Sequence, residues 1–181
     1  MGICAQRTVI ITGSGSGLGK AYALAFAAEG ANVVVNDIRV ESAEAVRDEI
    51  IAAGGNAIAT CDDITRMDTA QKIVDAAIAA YGEVHALVNN AGIVRDRMFV
   101  SMSEDDWDQV MRVHLRGHFC LANILCRRWR DQSKAGTPVD ARDAAGRTPL
   151  MLAAMAGQVE VVQRLLAAGA VTTLKDHDNQ S

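Results

Sequence analysis

The chain has 181 residues, of which 50% are hydrophobic and 22% are charged, so its composition is that of a folded protein and not of a disordered one. Its 22 acidic and 18 basic residues give a formal net charge of -4, which argues against a nucleic-acid-binding surface. No apolar run approaches the roughly 18 residues of a membrane span. The four cysteines form no paired motif, which predicts reduced thiols and a cytoplasmic location.

Short apolar runs alternate with helical patterns over the first 130 residues. The predicted strands are 8–12, 32–37, 57–61 and 86–89, and the predicted helices are 18–29, 41–53, 68–81 and 104–130. Ser103 is expected to cap the last helix, because Ser103 and Asp106 have the spacing of a capping box. Strands that alternate with helices predict an α/β fold with a parallel sheet.

The remainder follows a different plan. Residues 131–141 contain Gly136 and Pro138 and are interpreted as a linker. Two short helical patterns follow, at 148–156 and 159–168, and no strand is predicted after them. We therefore predict two domains, 1–142 and 143–181. Asp143 and Asp176 begin similar segments 33 residues apart, which indicates a repeat.

A glycine-rich turn, residues 12–19, lies between the first strand and the first helix. Glycines let the main chain turn tightly and approach a pyrophosphate, while the helix N-terminus offers free N–H groups. Asp37 ends the second strand, where a carboxylate can accept bonds from the adenosine ribose hydroxyls and would repel a 2′-phosphate. The turn therefore indicates a dinucleotide site that favours NAD over NADP, unless Asp37 merely begins a turn.

Two motifs together resemble the short-chain dehydrogenase/reductase family. They are Thr12-Gly13-x-x-x-Gly17-x-Gly19 and Asn89-Asn90-Ala91-Gly92 after the fourth strand. The resemblance covers about residues 3–142. It implies that the first motif cradles the dinucleotide, that the second steadies the sheet beside it, and that Asp63-Ile64 contacts the adenine, although Asp62 could fill that place. Residues 113–119 resemble the hydroxyacyl-CoA or hydroxysteroid dehydrogenase branch.

The residues expected to bind the cofactor follow from the glycine-rich pattern together with the family resemblance. They are Gly13, Ser14, Ser16, Gly17, Leu18, Gly19, Asp37, Asp63, Ile64, Asn90, Ala91 and Gly92.

The catalytic half of the family pattern is missing from this sequence. The resemblance implies a Ser after the fifth strand and a Tyr-x-x-x-Lys, but Tyr22 is followed four residues later by Phe26 and Tyr81 by His85. His114 stands where many members place a catalytic Asn. No catalytic residue is therefore assigned, and we expect an incomplete oxidoreductase. The class of reaction that the resemblance implies is hydride transfer to or from a secondary alcohol or ketone. His114 and His118 share a helix face, but two ligands without a third fall short of a zinc site, so no metal is predicted.

Residues 143–170 resemble an ankyrin repeat, with Thr148-Pro149 opening the first helix and Gly169 ending the second. The predicted fold class is thus a truncated Rossmann-type parallel sheet followed by a small all-α ankyrin-like helical hairpin. Besides the dinucleotide, the hairpin suggests a protein partner, and the family resemblance suggests a homodimer through the fourth helix. Two alternatives stay open: a non-enzymatic interaction module, or a fusion product without selected function.

Overall fold

A computed structural model describes residues 2–136, 147–155 and 159–175. The chain forms two compact units, residues 1–127 and 128–181. The predicted domain boundary at 142, the second half of the predicted linker (137–141) and the repeat starts at Asp143 and Asp176 lie outside the described residues. Those predictions stay predictions.

The first unit alternates strands and helices. Its elements are β1 (Thr8–Thr12), α1 (Gly17–Ala28), β2 (Asn32–Asn36), α2 (Val40–Ala52), β3 (Asn56–Thr60), α3 (Met67–Tyr81), β4 (Ala86–Val88), a 3-10 turn (Phe99–Ser101) and α4 (Glu104–Met111). A π-helical segment (Arg112–Gly117) joins α4 to α5 (His118–Gly136). The predicted α/β class is confirmed.

The four described strands form one parallel sheet in the order β3-β2-β1-β4. Val9 of β1 pairs with Val33 on one side and with Ala86 on the other. The chain moves outward from β1 to β3 and then returns to the other side of β1, so the strand order reverses between β1 and β4. Ligands of open α/β sheets bind at such a reversal, outside the carboxyl ends of the strands.

The central strands β1 and β2 are rich in β-branched residues and are buried in the core. Every residue of β1 is buried, as are four of the five residues of β2. Val9 and Val33 pack on one face of the sheet with Ala23 of α1 and Val46 and Ile50 of α2. A strand covered on both faces has no polar side to display, which accounts for its uninterrupted apolar run.

The fourth helical pattern differs from the prediction in two ways. A π-helical segment interrupts the continuous helix expected over 104–130, and the helix extends to Gly136, so the prediction of a loop over 131–136 was wrong. Residues 131–135 include good helix formers, and the stop signal is the pair Gly136 and Pro138. The predicted cap is confirmed, because Ser103 and Asp106 form a reciprocal capping box.

The second unit contains a helical pair, α6 (Pro149–Met155) and α7 (Val159–Ala167), which contact each other. The N–H of Met151 donates to Thr148 Oγ1 over 3.3 Å, at the start of α6. Gly169 adopts φ 88° after α7, and the next N–H, of Ala170, donates back to the carbonyl of Leu165. The predicted helical hairpin is confirmed in its two helices, whereas residues 156–158 between them lie outside the described residues.

Candidate functional site

A glycine-rich turn leads from the carboxyl end of β1 to α1. Gly13 and Gly17 adopt φ values of 63° and 55°, which side-chain-bearing residues rarely adopt. A Cβ on Gly13 would lie 2.8 Å from Cα of Ala91, so this turn and the loop after β4 are in direct backbone contact. The first N–H groups of α1 have no carbonyl partner within the helix, and they begin where the turn ends.

Ser14 fastens the turn to β2. Its hydroxyl donates to the carbonyl of Ile11 over 2.7 Å and accepts the N–H of Asn36 over 3.0 Å. Its own N–H donates to the carbonyl of Asn36 over 3.0 Å. The side chain is fully buried, so these bonds set the shape of the turn.

Asp37, directly after β2, is bound to the same turn. Its Oδ2 accepts the N–H of Gly15 over 3.0 Å, and its Oδ1 accepts the N–H of Arg39, also over 3.0 Å. Arg39 extends its guanidinium over the turn and donates from Nη2 to the hydroxyl of Ser16 over 2.9 Å. Arg39 was not among the predicted site residues, although its place two residues after Asp37 was a usable signal.

Thr12 joins the turn to the loop after β4. Its hydroxyl oxygen accepts the N–H groups of Asn90 and Ala91 over 3.1 and 3.0 Å. The amide nitrogen of the Asn90 side chain donates to the carbonyls of Thr12 and Gly13 over 3.0 and 3.1 Å. A Cβ on Gly19 would lie 2.5 Å from that nitrogen, which explains why α1 carries glycine there. Asn90 therefore shapes the crevice through main-chain bonds.

Asp63 lies in the loop after β3. Its carboxylate accepts the N–H and hydroxyl of Thr65 over 2.8 and 2.9 Å, and a guanidinium nitrogen of Arg112 lies 3.7 Å away. Ile64 is buried, and a Cβ on Gly117 would lie 2.7 Å from its Cδ1. The π-helical segment thus packs on this loop and places Arg112 beside it.

These elements surround one cavity of about 640 Å³ in the first unit. Eight of the twelve predicted cofactor residues line it: Gly13, Ser16, Asp37, Asp63, Ile64, Asn90, Ala91 and Gly92. Ser14, Gly17, Leu18 and Gly19 do not line it. Asp62 lines it as well, so both candidates for the acidic position beside the adenine are present. Further lining residues that the sequence analysis did not select include Asn36, Ile38, Arg39, Thr65, Arg112 and Val113.

The edge of the cavity next to β2 and β3 is acidic. Burial raises the pKa of the Cys61 thiol, and the nearby carboxylates of Glu44, Asp62 and Asp37 raise it further. Burial alone raises the pKa of a thiol, so it is the part contributed by the three carboxylates that indicates negative charge at this edge.

Each of the paired histidines uses its ring to hold the loop after β4. Nε2 of His114 lies 3.1 Å from the nitrogen and 2.9 Å from the oxygen of Ile93, and Nε2 of His118 lies 3.0 Å from the carbonyl oxygen of Ala91. The two ring centroids are 6.2 Å apart. Within the described residues, no group of three His, Cys, Asp or Glu side chains could hold a metal ion.

Neither tyrosine belongs to the cavity. Tyr22 lies on α1 and Tyr81 ends α3, and neither lines the crevice. Burial raises the pKa of the Tyr81 phenol, which is the opposite of the lowering that a proton-exchanging tyrosine needs near neutral pH.

Comparison with known proteins agrees with this geometry. The family model for short chain dehydrogenase matches residues 7–155, most of the chain. The chain belongs to the short-chain dehydrogenase family. A second model, the ankyrin repeat, matches residues 145–177 of this short-chain dehydrogenase. Membership implies a nicotinamide dinucleotide as cofactor, and the repeat suggests a protein interaction.

Curated relatives and solved structures place the chain within that family. It is 44% identical over 133 residues to the hydroxyacyl-CoA dehydrogenase ChsB1 of Mycobacterium tuberculosis, covering 71% of this chain and 42% of that protein. It is 40% identical over 149 residues to a peroxisomal hydratase-dehydrogenase-epimerase of Neurospora crassa, covering 77% of this chain and 16% of that protein. A short chain dehydrogenase structure from Mycobacterium avium superposes with a TM-score of 0.72 and 41% identity, covering 92% of this chain and 64% of that one. The short-chain dehydrogenase therefore spans less than half the length of these curated relatives.

None of the helices in the described part of the chain combines the length and apolar composition that crossing a membrane requires. All four cysteines are described, and all are free thiols.

Proposed function

We propose that this short-chain dehydrogenase chain binds NAD(H) in the cavity at the carboxyl ends of β1, β2 and β4. One observation carries the proposal: the glycine-rich turn, Asp37 and the loop after β4 line the same cavity and are tied to one another by hydrogen bonds. A volume of about 640 Å³ is within the usual range of cofactor and ligand sites.

Each predicted residue then takes a part in holding the dinucleotide. The main chain of the turn and the N-terminus of α1 receive the pyrophosphate, Asp37 receives the adenosine ribose, Asp63 and Ile64 flank the adenine, and the loop after β4 borders the nicotinamide end. Asp62 is the alternative to Asp63. The residues assigned by this proposal are Gly13, Ser14, Ser16, Gly17, Leu18, Gly19, Asp37, Asp63, Ile64, Asn90, Ala91 and Gly92. Of these, Ser14 and Gly19 act by shaping the turn, because Ser14 is buried and Gly19 packs on Asn90.

The space around Gly17 supports the fit. A Cβ built on Gly17 meets no atom within 4 Å, so this glycine is not required by packing against the protein. Its positive φ turns the main chain into the first turn of α1, where N–H groups are free to receive an anion.

The electrostatics favour NAD over NADP. Asp37 lies at the cavity wall with its carboxylate almost fully buried, and Asp62 and Asp63 line the neighbouring wall. A 2′-phosphate placed beside Asp37 would meet like charge at short range. Among the cavity-lining cations, Arg39 lies beside this carboxylate, with its Nε 3.5 Å from Asp37 Oδ1. The positive charge of Arg39 is therefore partly offset by Asp37.

When bound, the nicotinamide would accept hydride from a secondary alcohol in its oxidised form, or donate hydride to a ketone in its reduced form. The sequence contains Tyr22 and Tyr81 as its tyrosines, and neither starts a Tyr-x-x-x-Lys motif. A positioned general acid or base contributes about 10²- to 10⁴-fold to such a reaction. We therefore assign this chain cofactor binding without efficient turnover.

A homodimer is supported by the outward face of α4 and the segment after it. Leu115 and Phe119 line one open surface and are 60% and 58% exposed, and Trp107 of α4 is 52% exposed. The same open surface carries Asp105 and Asp108 at its N-terminal end and Arg112 and Arg116 at its C-terminal end. An antiparallel second copy would place these opposite charges against each other.

A second candidate function rests on the ankyrin match at 145–177. Val159, Val161 and Leu166 of α7 are exposed at 66%, 41% and 44%, and repeats of this kind bury such faces on a neighbour. We propose that residues 143–181 form an interaction domain that is separate from the cofactor domain of residues 1–142. The four free cysteines support a cytoplasmic location for this protein.

Calorimetric titration with NADH tests the proposed function. Gly17→Ala adds a Cβ beside the first turn of α1 and is expected to weaken NADH binding about tenfold or more, since the pyrophosphate must approach the main chain there. Gly54→Ala is the matched control, because Gly54 also has a positive φ with no atom near its Cβ position and lies outside the cavity. No binding of millimolar NADH by the unmodified chain would refute the function.

A further inference from the structure

Ala91 is held at both of its peptide groups. Its N–H donates to Thr12 Oγ1 over 3.0 Å, and its carbonyl oxygen lies 3.0 Å from Nε2 of His118. A carbonyl oxygen can only accept, so Nε2 of His118 carries the proton in this contact. Two bonds from different elements, β1 and α5, therefore fix one residue of the loop after β4.

Ala91 lines the cavity and contacts the glycine-rich turn. A Cβ on Gly13 would lie 2.8 Å from its Cα and 3.2 Å from its Cβ, so Ala91 packs directly on the glycine-rich turn. Ala91 and Gly92 both line the cavity. A small rotation of the peptide between them would change the contact with Gly13 and the width of the crevice.

His118 reaches this carbonyl because of the segment before it. Gly117 is buried, and a Cβ there would lie 2.7 Å from Cδ1 of Ile64, so the main chain packs closely on the loop after β3 directly before His118. The ring of His114, one turn earlier, contacts Ile93 instead of Ala91. The two rings make separate bonds, so His114 does not replace the bond that His118 makes.

We propose that His118 is a positioning residue for the cofactor crevice, acting through the carbonyl of Ala91. It does not line the cavity and need not touch the cofactor. The proposal rests on the proposed NAD(H) site for its functional consequence, while the hydrogen bond itself can be tested without any cofactor.

The substitutions His118→Leu and His118→Gln separate hydrogen bonding from side-chain volume. Leu removes the donor, and Gln keeps an N–H that can reach the carbonyl. We expect His118→Leu to weaken NADH binding about three- to tenfold, the effect of one lost hydrogen bond, and His118→Gln to stay within about twofold of the unmodified protein.

His85→Leu is the matched control for a general loss of stability. His85 lies just before β4, at the opposite end of the strand, and its Nδ1 accepts the N–H of Thr8 over 3.0 Å. Its loss should lower the melting temperature without changing the affinity for NADH. Equal weakening of NADH binding by His85→Leu and His118→Leu would show that only stability is involved and would overturn the proposal.

Amide hydrogen exchange in the cofactor-free protein gives the second readout. We expect the amide of Ala91 to exchange faster in His118→Leu and at the normal rate in His118→Gln and His85→Leu. Unchanged exchange in His118→Leu would overturn the positioning role, whether or not NADH binds. If the unmodified chain fails to bind NADH, the proposed function fails, and the exchange rates still decide the role of His118.

Discussion

Asp37 and Arg39 are hydrogen-bonded to each other at the wall of the cavity. The N–H of Arg39 lies 3.0 Å from Asp37 Oδ1, and its Nε lies 3.5 Å from the same oxygen. The other oxygen, Oδ2, accepts the N–H of Gly15 in the glycine-rich turn. One carboxylate thus orients both the turn and the cation beside it.

Replacing Asp37 by Asn removes that charge and keeps one acceptor oxygen. We expect Asp37→Asn to weaken NADH binding about tenfold, because bonds to a charged acceptor contribute more than bonds to a neutral one. NADPH binding should improve relative to NADH, since Arg39 loses its counter-charge. Titration with both nucleotides measures the ratio.

Asp68→Asn provides the control for Asp37→Asn. Asp68 is an exposed carboxylate paired with Arg66 and does not line the cavity. It should leave both affinities unchanged. An unaltered ratio of NADPH to NADH affinity in Asp37→Asn would contradict the assignment of Asp37 to the ribose.

Gly13 and Gly17 should differ in how strongly they resist substitution. Both have positive φ, which costs a residue with a side chain roughly 1–2 kcal/mol. Gly13→Ala adds a clash with the backbone of Ala91 at 2.8 Å, whereas Gly17→Ala meets open space. We expect the free energy of unfolding to fall by about 1 kcal/mol for Gly17→Ala and by clearly more for Gly13→Ala, as measured by urea denaturation. Equal losses would argue against the close approach of the turn and the loop after β4.

Low pH should destabilise the N-terminus of α4, where Asp106 belongs to the capping box. The hydroxyl of Ser103 donates to Asp106 and lowers the pKa of that carboxyl, and the Ser103 backbone and Arg97 lower it further. Because the folded pKa is depressed, this carboxylate stabilises the fold above its unfolded pKa of about 3.9, and the contribution is lost as the pH falls through the folded pKa.

The measurement for Asp106 is the melting temperature as a function of pH. Asp106→Asn should melt below the unmodified protein at pH 7, and the difference should shrink at about pH 3. Asp75→Asn, at an exposed position on α3, should show no such pH-dependent difference. A deficit of Asp106→Asn that persists at low pH would rule out the charge of this carboxylate as the cause.

The exposed surface on α4 and the following segment predicts the oligomeric state. Leu115 is 60% exposed, and Leu115→Glu would place a charge at the centre of the proposed dimer face. We expect sedimentation to show a dimer for the unmodified chain and a monomer for this variant. Ile51→Glu is the control, because Ile51 is 51% exposed on α2, away from this surface. A monomeric unmodified chain at micromolar concentration would contradict the dimer.

Much of this protein was predictable from local pattern. The strands and helices of the first unit appear within about one residue of their expected ends, because period, glycine stops and a Ser103 cap are encoded in neighbouring residues. The continuous helix over 104–130 was wrong in detail. Its π-helical interruption arises where Gly117 packs against Ile64, which is far away in the sequence.

The candidate site was likewise predictable in part from the sequence. Motif and spacing identify the glycine-rich turn, Asp37 and Asn90 as its parts, since glycine conformation and carboxylate charge are properties of single residues. Only the folded chain shows that Ser14 faces inward, that Arg39 pairs with Asp37, and that His118 bonds to Ala91. Ser14 and Asn36 are 22 positions apart and His118 and Ala91 are 27 positions apart, so these pairs meet only when the chain folds and no local pattern signals their bonds. Arg39 and Asp37 are only two positions apart, and their pairing depends on the backbone conformation after β2.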